Sequence, residues 1–214
     1  MPLNERIEHT LLRPTATSSE LEAVCREAMK HDFAGVCVPP YAVPMARTIL
    51  GESSVALVTV IGFPLGYQST AVRAAEARKA LEDEADELDV VMNLSTFKSG
   101  ERAAVLNDLS TLASIAHQRD ALLKVIVETA YLDADELRTA CDLCVEAEVD
   151  FVKTSTGFAP HGARVEDIER MRDWLPDRMR IKASGGIKTR EQAEAMVAAG
   201  ADRLGTSSGI ALLS

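Results

Sequence analysis

Residues 122–156, LLKVIVETAYLDADELRTACDLCVEAEVDFVKTST, contain a pattern of two apolar runs separated by a helical run. Leu122–Thr129 and Phe151–Thr156 are rich in branched apolar residues without strict alternation, which is typical of parallel strands covered on both faces. Between them, Asp133-x-x-Glu136 is a helix-capping signal that precedes an amphipathic run. The stretch therefore predicts a strand, a helix and a second strand.

The same alternation of apolar and helical runs extends over the rest of the chain. The strand candidates are Ile7–Leu12, Gly35–Pro39, Ala56–Phe63, Leu88–Leu94, Leu122–Thr129, Phe151–Thr156, Arg180–Gly185 and Arg203–Ser208. Ser19-x-x-Glu22 and Thr189-x-x-Gln192 are further capping signals. Repeated βα units without a linker predict an α/β protein with one domain, residues 1–214, and a parallel sheet. Eight units indicate a closed (β/α)₈ (TIM) barrel, with a doubly wound open sheet as the alternative.

Composition and charge argue against several classes of protein. The net charge of −10 disfavours a nucleic-acid partner, because phosphate backbones attract an excess of Lys and Arg. No apolar run reaches the roughly 18 residues of a membrane span, and the N-terminal MPLNERIEHTLL lacks signal-peptide features. We therefore expect a cytoplasmic protein without membrane association. The four cysteines fit neither a disulfide framework nor a zinc motif, and Cys141 and Cys144 are predicted to be buried on a helix.

Five of the charged residues in or beside the apolar strands are informative. They are Lys153, Lys182, Asp89, Lys124 and Glu128. A lone charge inside a barrel is unfavourable unless it is paired or neutralised. From strand parity, we expect four of the five side chains to face one interior and Lys124 to pair with Glu128.

Lys153 and Lys182 lie on consecutive predicted strands. Two amines close together cannot both stay protonated without cost, so we expect the pKa of at least one to fall. A neutral amine beside a cationic group is what Schiff-base chemistry requires. The alternative is that both lysines lie at the surface ends of strands and form salt bridges.

Glycine and hydroxyl residues cluster after the last strands. The clusters are Thr154–Gly157, Ser184–Gly186 and Gly205–Gly209. Exposed N–H groups in such loops can hold a phosphate, and in (β/α)₈ barrels the loops after strands seven and eight commonly do so. Ordinary tight turns are the alternative. No cluster matches a dinucleotide or P-loop fingerprint.

Seven stretches spanning nearly the whole chain carry a family resemblance. They are IEHTLLRP, VTVIGFPLG, ELDVVMNL, LLKVIVETAYL, DFVKTSTGF, IKASGGIKT and RLGTSSG. In their residues and in their order along the chain, these stretches resemble those of the deoxyribose-phosphate aldolases, which are class I (Schiff-base) aldolases. The resemblance implies reversible cleavage of 2-deoxy-D-ribose 5-phosphate to D-glyceraldehyde 3-phosphate and acetaldehyde, in deoxyribonucleotide catabolism. It also implies a homodimer or higher homo-oligomer, with no cofactor and no metal.

The resemblance also implies roles for individual residues. Lys153 would form the Schiff base, Lys182 would lower its pKa, and Asp89 would donate and accept protons. The residues expected at the substrate and phosphate site are Gly157, Gly185, Gly186, Gly205, Ser207, Ser208, Thr10 and Lys124.

The chain departs from the family pattern at several positions. Glu8 stands where family members often have Asp, Pro39 where they often have Asn, and Met92–Ser95 replaces a more usual INIG-like run. No tail carrying a Tyr follows the last predicted strand. Two other functions remain open: a class I aldolase for another aldehyde phosphate, and a non-catalytic barrel that binds a sugar phosphate.

Overall fold

The computed structural model describes residues 1–213, which form a closed barrel of eight parallel strands in chain order. The strands are β1 (Ile7–Thr10), β2 (Gly35–Val38), β3 (Ala56–Ile61), β4 (Glu87–Val91), β5 (Leu122–Ile126), β6 (Phe151–Lys153), β7 (Arg180–Ser184) and β8 (Arg203–Thr206). Each strand pairs with the next, and β8 pairs with β1. The (β/α)₈ prediction is therefore confirmed, and the open-sheet alternative is wrong.

All eight predicted strands are present, but each ends before its predicted limit. The second predicted strand extended to Pro39 and ends at Val38, whereas the fifth extended to Thr129 and ends at Ile126. The apolar runs continue past the last ladder hydrogen bonds into the loops at the carboxyl edge. Active sites of this architecture lie at that edge.

The helices surround the barrel. They are α1 (Ser18–Lys30), α2 (Val43–Leu50), α3 (Thr70–Glu82), α4 (Leu94–Lys98), α5 (Arg102–His117), α6 (Ala134–Glu146), α7 (Val165–Trp174) and α8 (Arg190–Ala198). Both α4 and α5 follow β4, and a 3₁₀ helix, Gly209–Leu213, follows β8. Within residues 1–213, no helix combines the length and the apolar character needed to cross a bilayer. Cys141 and Cys144 are buried on α6, as predicted.

Two of the three predicted capping boxes are present. Asp133 caps α6 and Thr189 caps α8, each with the predicted partner three residues later. The prediction for α1 is wrong, because its N-cap is Thr17 and the reciprocal partner is Glu20. Glu20 accepts a hydrogen bond from the Thr17 backbone N–H at 2.8 Å, so the helix begins one residue before Ser19.

The apolar core and the barrel interior differ in chemistry. A continuous core, which includes Leu57 and Leu88, lies between the strands and the helices. A separate small cluster contains Cys37, Val58 and Val60, and Val60 is in register with Asp89 on the next strand. The barrel interior therefore combines a small apolar patch with buried charges.

Candidate active site

Strand register brings the inward charges together. Asp89 on β4 pairs with Lys124 on β5, and Lys153 on β6 pairs with Lys182 on β7. All four residues are buried, with at most 3% of any of them exposed. The expectation that these four side chains share one interior is therefore confirmed.

Asp89 lies at the centre of this group. Its Oδ1 accepts a hydrogen bond from Lys124 Nζ at 2.8 Å, and its Oδ2 accepts from Lys153 Nζ at 2.6 Å and from Lys182 Nζ at 2.7 Å. Burial alone would raise the pKa of Asp89, but the three neighbouring amines hold that pKa well below its usual range. Asp89 is therefore ionised in the resting site near neutral pH.

The two lysines on β6 and β7 respond in opposite directions. Burial lowers the pKa of Lys153, and the charge of Lys182 lowers it further, while Asp89 opposes both; the net direction is downward. Burial acts on Lys182 in the same way, but Asp89 and Glu8 together raise its pKa above the usual value. The predicted fall of one amine pKa is confirmed for Lys153, with burial as the largest cause and the second cation as a smaller one.

Lys124 has a different environment from the one predicted. Its Nζ lies 2.5 Å from Glu87, 2.8 Å from Asp89 and 3.6 Å from Glu8, all inside the barrel. It is fully buried and does not line the cavity at the carboxyl edge of the barrel, so the structure does not bring it together with the other residues predicted for the substrate and phosphate site.

The predicted pair between Lys124 and Glu128 is also wrong. β5 ends at Ile126, and Glu128 has a left-handed backbone with φ of 55°, so strand parity does not extend to it. The Glu128 carboxylate instead accepts hydrogen bonds from the backbone N–H and the hydroxyl of Thr156. Burial raises the pKa of Glu128.

Sequence reasoning assigned no role to three further members of the interior. Glu8 contacts Lys182, and Arg203 lies 3.3 Å from Glu8 and 3.5 Å from Glu87. Glu8 departs from the family pattern within the first predicted strand, and Glu87 directly precedes the predicted fourth strand. A search for every charge within or beside an apolar strand would have found all three.

A cavity of about 520 Å³ opens at the carboxyl edge of the barrel. Six of the predicted site residues line it together with Lys153, namely Thr10, Gly157, Gly185, Gly186, Gly205 and Ser207. Ser208 does not line the cavity, and its backbone N–H donates to the Thr206 hydroxyl at 2.9 Å. Lys182 and Asp89 lie behind Lys153 and do not line the cavity either.

The loop after β7 is held close to another part of the wall. Gly185 has a φ of +84°, and a Cβ built on it would lie 2.9 Å from the Cα of Gly162. Both the backbone conformation and the close approach therefore require glycine at this position.

Two cations on the cavity wall were not predicted. Arg13 follows β1 and forms an ion pair with Glu20, and Lys188 follows the loop after β7. The Ser184 hydroxyl is buried beside this loop without a hydrogen-bond partner in the part of the chain that the structure describes. A mainly acidic chain thus has local positive charge and free donors where an anionic substrate would enter.

Two other residues near the interior have structural roles in this geometry. Burial raises the pKa of the Cys37 thiol to about 11, so the thiol stays protonated at neutral pH. The Nε2 atom of His9 lies 2.8 Å from a Glu27 carboxylate oxygen, on the helix side of β1.

Comparisons with known proteins agree with this architecture. The family model described as "DeoC/LacD family aldolase" matches residues 5–214. A deoxyribose-phosphate aldolase of Thermococcus gammatolerans is 48% identical over 100% of this chain and 96% of its own length. One from Lactiplantibacillus plantarum is 45% identical, covering 100% and 99% respectively. The structure titled "Unique tetrameric structure of deoxyribose phosphate aldolase from Aeropyrum pernix" superposes with a TM-score of 0.93 at 36% identity, covering 99% of this chain and 89% of that one. The chain therefore belongs to the DeoC/LacD family of aldolases.

Proposed function

We propose that the chain is a class I aldolase that reversibly cleaves 2-deoxy-D-ribose 5-phosphate to D-glyceraldehyde 3-phosphate and acetaldehyde. The reaction would serve the breakdown of deoxyribonucleotides. One observation carries the proposal: of the interior lysines in residues 1–213, Lys153 alone lines the cavity, and it is also the one whose pKa is lowered. The relatives from Thermococcus gammatolerans and Lactiplantibacillus plantarum are named deoxyribose-phosphate aldolases, and these names support the choice of substrate.

In this mechanism Lys153 is the nucleophile. Its neutral amine attacks C1 of the open-chain sugar phosphate, and the resulting carbinolamine loses water to give an iminium. Loss of the C3 hydroxyl proton then breaks the C2–C3 bond. C3 becomes the aldehyde carbon of glyceraldehyde 3-phosphate, and the bonding pair moves toward the iminium to give an enamine. Protonation of the enamine at C2 and hydrolysis by water release acetaldehyde and restore Lys153.

We assign the proton transfers to Asp89 and Lys182. The Asp89 carboxylate is 2.6 Å from Lys153 Nζ, so it can exchange a proton at the reacting nitrogen. Lys182 is held 2.7 Å from the same carboxylate oxygen and supplies a charged amine behind the nucleophile. Because neither residue lines the cavity, a water molecule would carry protons between them and the C3 hydroxyl.

The phosphate would bind at the other side of the cavity. Gly186 and Ser207 follow β7 and β8 there and offer backbone and hydroxyl donors, Gly205 leaves the wall without a side chain, and Lys188 and Arg13 add positive charge. Binding energy from this group would hold C1 next to Lys153, which converts the attack into a nearly unimolecular step.

Reductive trapping tests the proposal. Borohydride added during turnover should fix a stable adduct on Lys153, located by peptide mass spectrometry. Lys153→Met should give no adduct. Lys98→Met is the matched control, since Lys98 is an exposed lysine that pairs with Glu136, and it should trap like the parent. An adduct elsewhere, or none, would reject the assignment.

A substrate panel separates the remaining functions. Faster cleavage of hexose phosphates than of deoxyribose 5-phosphate would indicate another class I aldolase. Tight binding of the sugar phosphate without retro-aldol turnover would indicate a non-catalytic barrel. Excess EDTA should leave activity unchanged, and activity lost to EDTA and restored by zinc would favour a metal-dependent aldolase instead.

Three broader features belong to the same proposal. Residues 1–214 form one domain, supported by closure of the barrel between β1 and β8, and a single cooperative thermal transition should be seen. The chain forms a homo-oligomer, supported by the tetrameric Aeropyrum pernix relative, and light scattering should give a mass above 23.1 kDa. The protein is cytoplasmic, and activity recovered with membranes on fractionation would contradict this location.

A further inference from the structure

Ion pairs join seven interior side chains into one network. The members are the carboxylates Glu8, Glu87 and Asp89 and the cationic groups Lys124, Lys153, Lys182 and Arg203. Within residues 1–213, these are four cationic groups against three carboxylates. A network in which every member is ionised thus has one surplus positive charge in a buried place, which is unfavourable. Loss of one proton makes it neutral.

The three amines differ in how many carboxylates they contact. Lys124 has three within 4 Å, at 2.5, 2.8 and 3.6 Å. Lys182 has two, Glu8 and Asp89. Lys153 has only Asp89, at 2.6 Å, among residues 1–213. Since each nearby carboxylate favours the charged form, the surplus proton leaves from the amine with the fewest.

We propose that Lys124 is a positioning residue whose fixed charge holds Asp89 by the oxygen remote from Lys153 and makes Lys153 the amine that is neutral. Lys124 does not touch the cavity, so it acts through Asp89 and the charge balance of the network. The inference rests on the proposed role of Lys153 as nucleophile.

The three carboxylates around Lys124 keep its amine charged. Its Nζ lies 5.8 Å from the centre of the Phe151 ring, and Arg203 and Arg180 lie over the same ring. Burial opposes its charge, but Asp89, Glu8 and Glu87 raise its pKa above the usual value.

Outside the network, no group of residues 1–213 forms an ion pair with Lys153. Lys182 and Asp89 belong to the network, and Cys37 on β2 is a thiol whose pKa is raised to about 11. Glu128 lies beyond the end of β5, where Thr156 binds its carboxylate; burial raises its pKa, and the charge of Lys153 opposes that rise. The ion pair of Lys153 therefore lies within the network, and Glu128 acts on Lys153 only from beyond ion-pair distance.

Removing Lys124 tests the proposal through the pH profile. In Lys124→Met, a neutral Lys153 would leave the network with one surplus negative charge, so Lys153 should keep its proton to higher pH. The acidic limb of kcat/KM reports the free enzyme, and it should move upward by about one pH unit. On that limb activity should fall about tenfold.

A second measurement follows Lys153 directly. The initial rate at which acetaldehyde and borohydride modify Lys153, read by mass spectrometry against pH, should show the same upward displacement. Lys79→Met is the matched control, because Lys79 is exposed and pairs only with Asp83 among the described residues, and its profile should match the parent.

Glu87→Gln should move both profiles the opposite way. It removes a negative charge that contacts Lys124 at 2.5 Å and Arg203 at 3.5 Å, without touching the cavity. The double variant Lys124→Met/Glu87→Gln restores the balance and should return the limb toward the parent position. If Lys124→Met does not fold, Glu87→Gln alone decides, since a downward displacement supports the proposal.

The outcomes separate this inference from the proposed function. A parent enzyme that traps substrate on Lys153, with an unmoved acidic limb in Glu87→Gln or in folded Lys124→Met, overturns the role of Lys124 and leaves the aldolase proposal intact. A parent enzyme that gives no adduct on Lys153 rejects the nucleophile, and with it the premise of this inference.

Discussion

Arg73 and Asp108 form a buried ion pair between α3 and α5, while Lys153 and Asp89 form one inside the barrel. Burial lowers the pKa of Arg73 to about 10, which still leaves the guanidinium charged at neutral pH. Burial also lowers the pKa of Lys153, and an amine with a lowered pKa can give up its proton. Similar burial therefore yields a structural cation in one place and a nucleophile in the other.

The partners of the two carboxylates differ as well. Asp108 pairs with one cation, Arg73, and accepts a hydrogen bond from the Thr70 hydroxyl at 2.7 Å. Asp89 contacts three amines, of which one lines a cavity. The pair of Arg73 and Asp108 joins two helices. The group around Asp89 places several charges next to a cavity. Four substitutions test this contrast.

The largest effect is expected when Lys153 is replaced by arginine, the residue type of the buried structural cation Arg73. Lys153→Arg keeps a cation at the position but removes an amine that can lose its proton. Turnover in the retro-aldol assay should fall by roughly 10⁴-fold or more, as for loss of other catalytic nucleophiles. Activity within 100-fold of the parent would show that arginine can replace lysine at position 153. Lys153 would then not be the nucleophile.

Asp89→Asn should give the next largest loss. The amide keeps the shape of the side chain but removes the charge that three amines share and the site of proton exchange. We expect kcat to fall by about 10²-fold or more, with a smaller change in KM, because proton transfer and not binding is lost. A matched fall in substrate affinity with unchanged kcat would assign Asp89 to binding instead.

Asp108→Asn should act on stability and not on chemistry. It removes the carboxylate that contacts the buried Arg73 guanidinium and leaves only the charge of Glu76 nearby, which costs about 3–5 kcal/mol in the free energy of unfolding measured by urea denaturation. The folded variant should keep kcat within about twofold of the parent. Asp173→Asn, at an exposed position on α7, is the control and should change stability by less than about 1 kcal/mol. A large fall in kcat at a temperature where Asp108→Asn is folded would contradict the contrast.

The smallest effect is expected at an exposed ion pair. Lys79 and Asp83 lie four residues apart around the end of α3, and the Lys79 side chain is 66% exposed. Solvent and salt screen such a pair, so Lys79→Gln should change the free energy of unfolding by about 0.5 kcal/mol or less. A loss comparable to that of Asp108→Asn would mean that burial is not what separates these pairs.

Much of the fold was predictable from local patterns. Each apolar run, such as Leu122–Thr129, contains a strand because branched side chains suit a sheet covered on both faces. Where the helix boundary signals were ambiguous, as at Thr17 and Ser19, the prediction was wrong by a residue or two, because neighbouring hydroxyls offer the same cap chemistry.

Only part of the site's membership, and little of its contacts, was predictable from the sequence. The two lysines and the aspartate inside strands stood out because an unpaired charge there is unfavourable, and Gly185 and Gly186 stood out as a loop that a phosphate could approach. Lys188 and Arg13 gave no comparable signal, since cations in polar loops are common.

The sequence by itself determined eight βα units and four of the inward charges, Asp89, Lys124, Lys153 and Lys182, because strand periodicity and helix caps act between residues close in the chain. Only the tertiary structure decided which charges meet. Lys124 contacts Glu87 and Asp89 across strands instead of Glu128 along its own strand, since the left-handed backbone at Glu128 ends the alternation. The lone contact of Lys153 with Asp89 and its access to the cavity likewise follow from register and barrel closure, which join residues far apart in the chain.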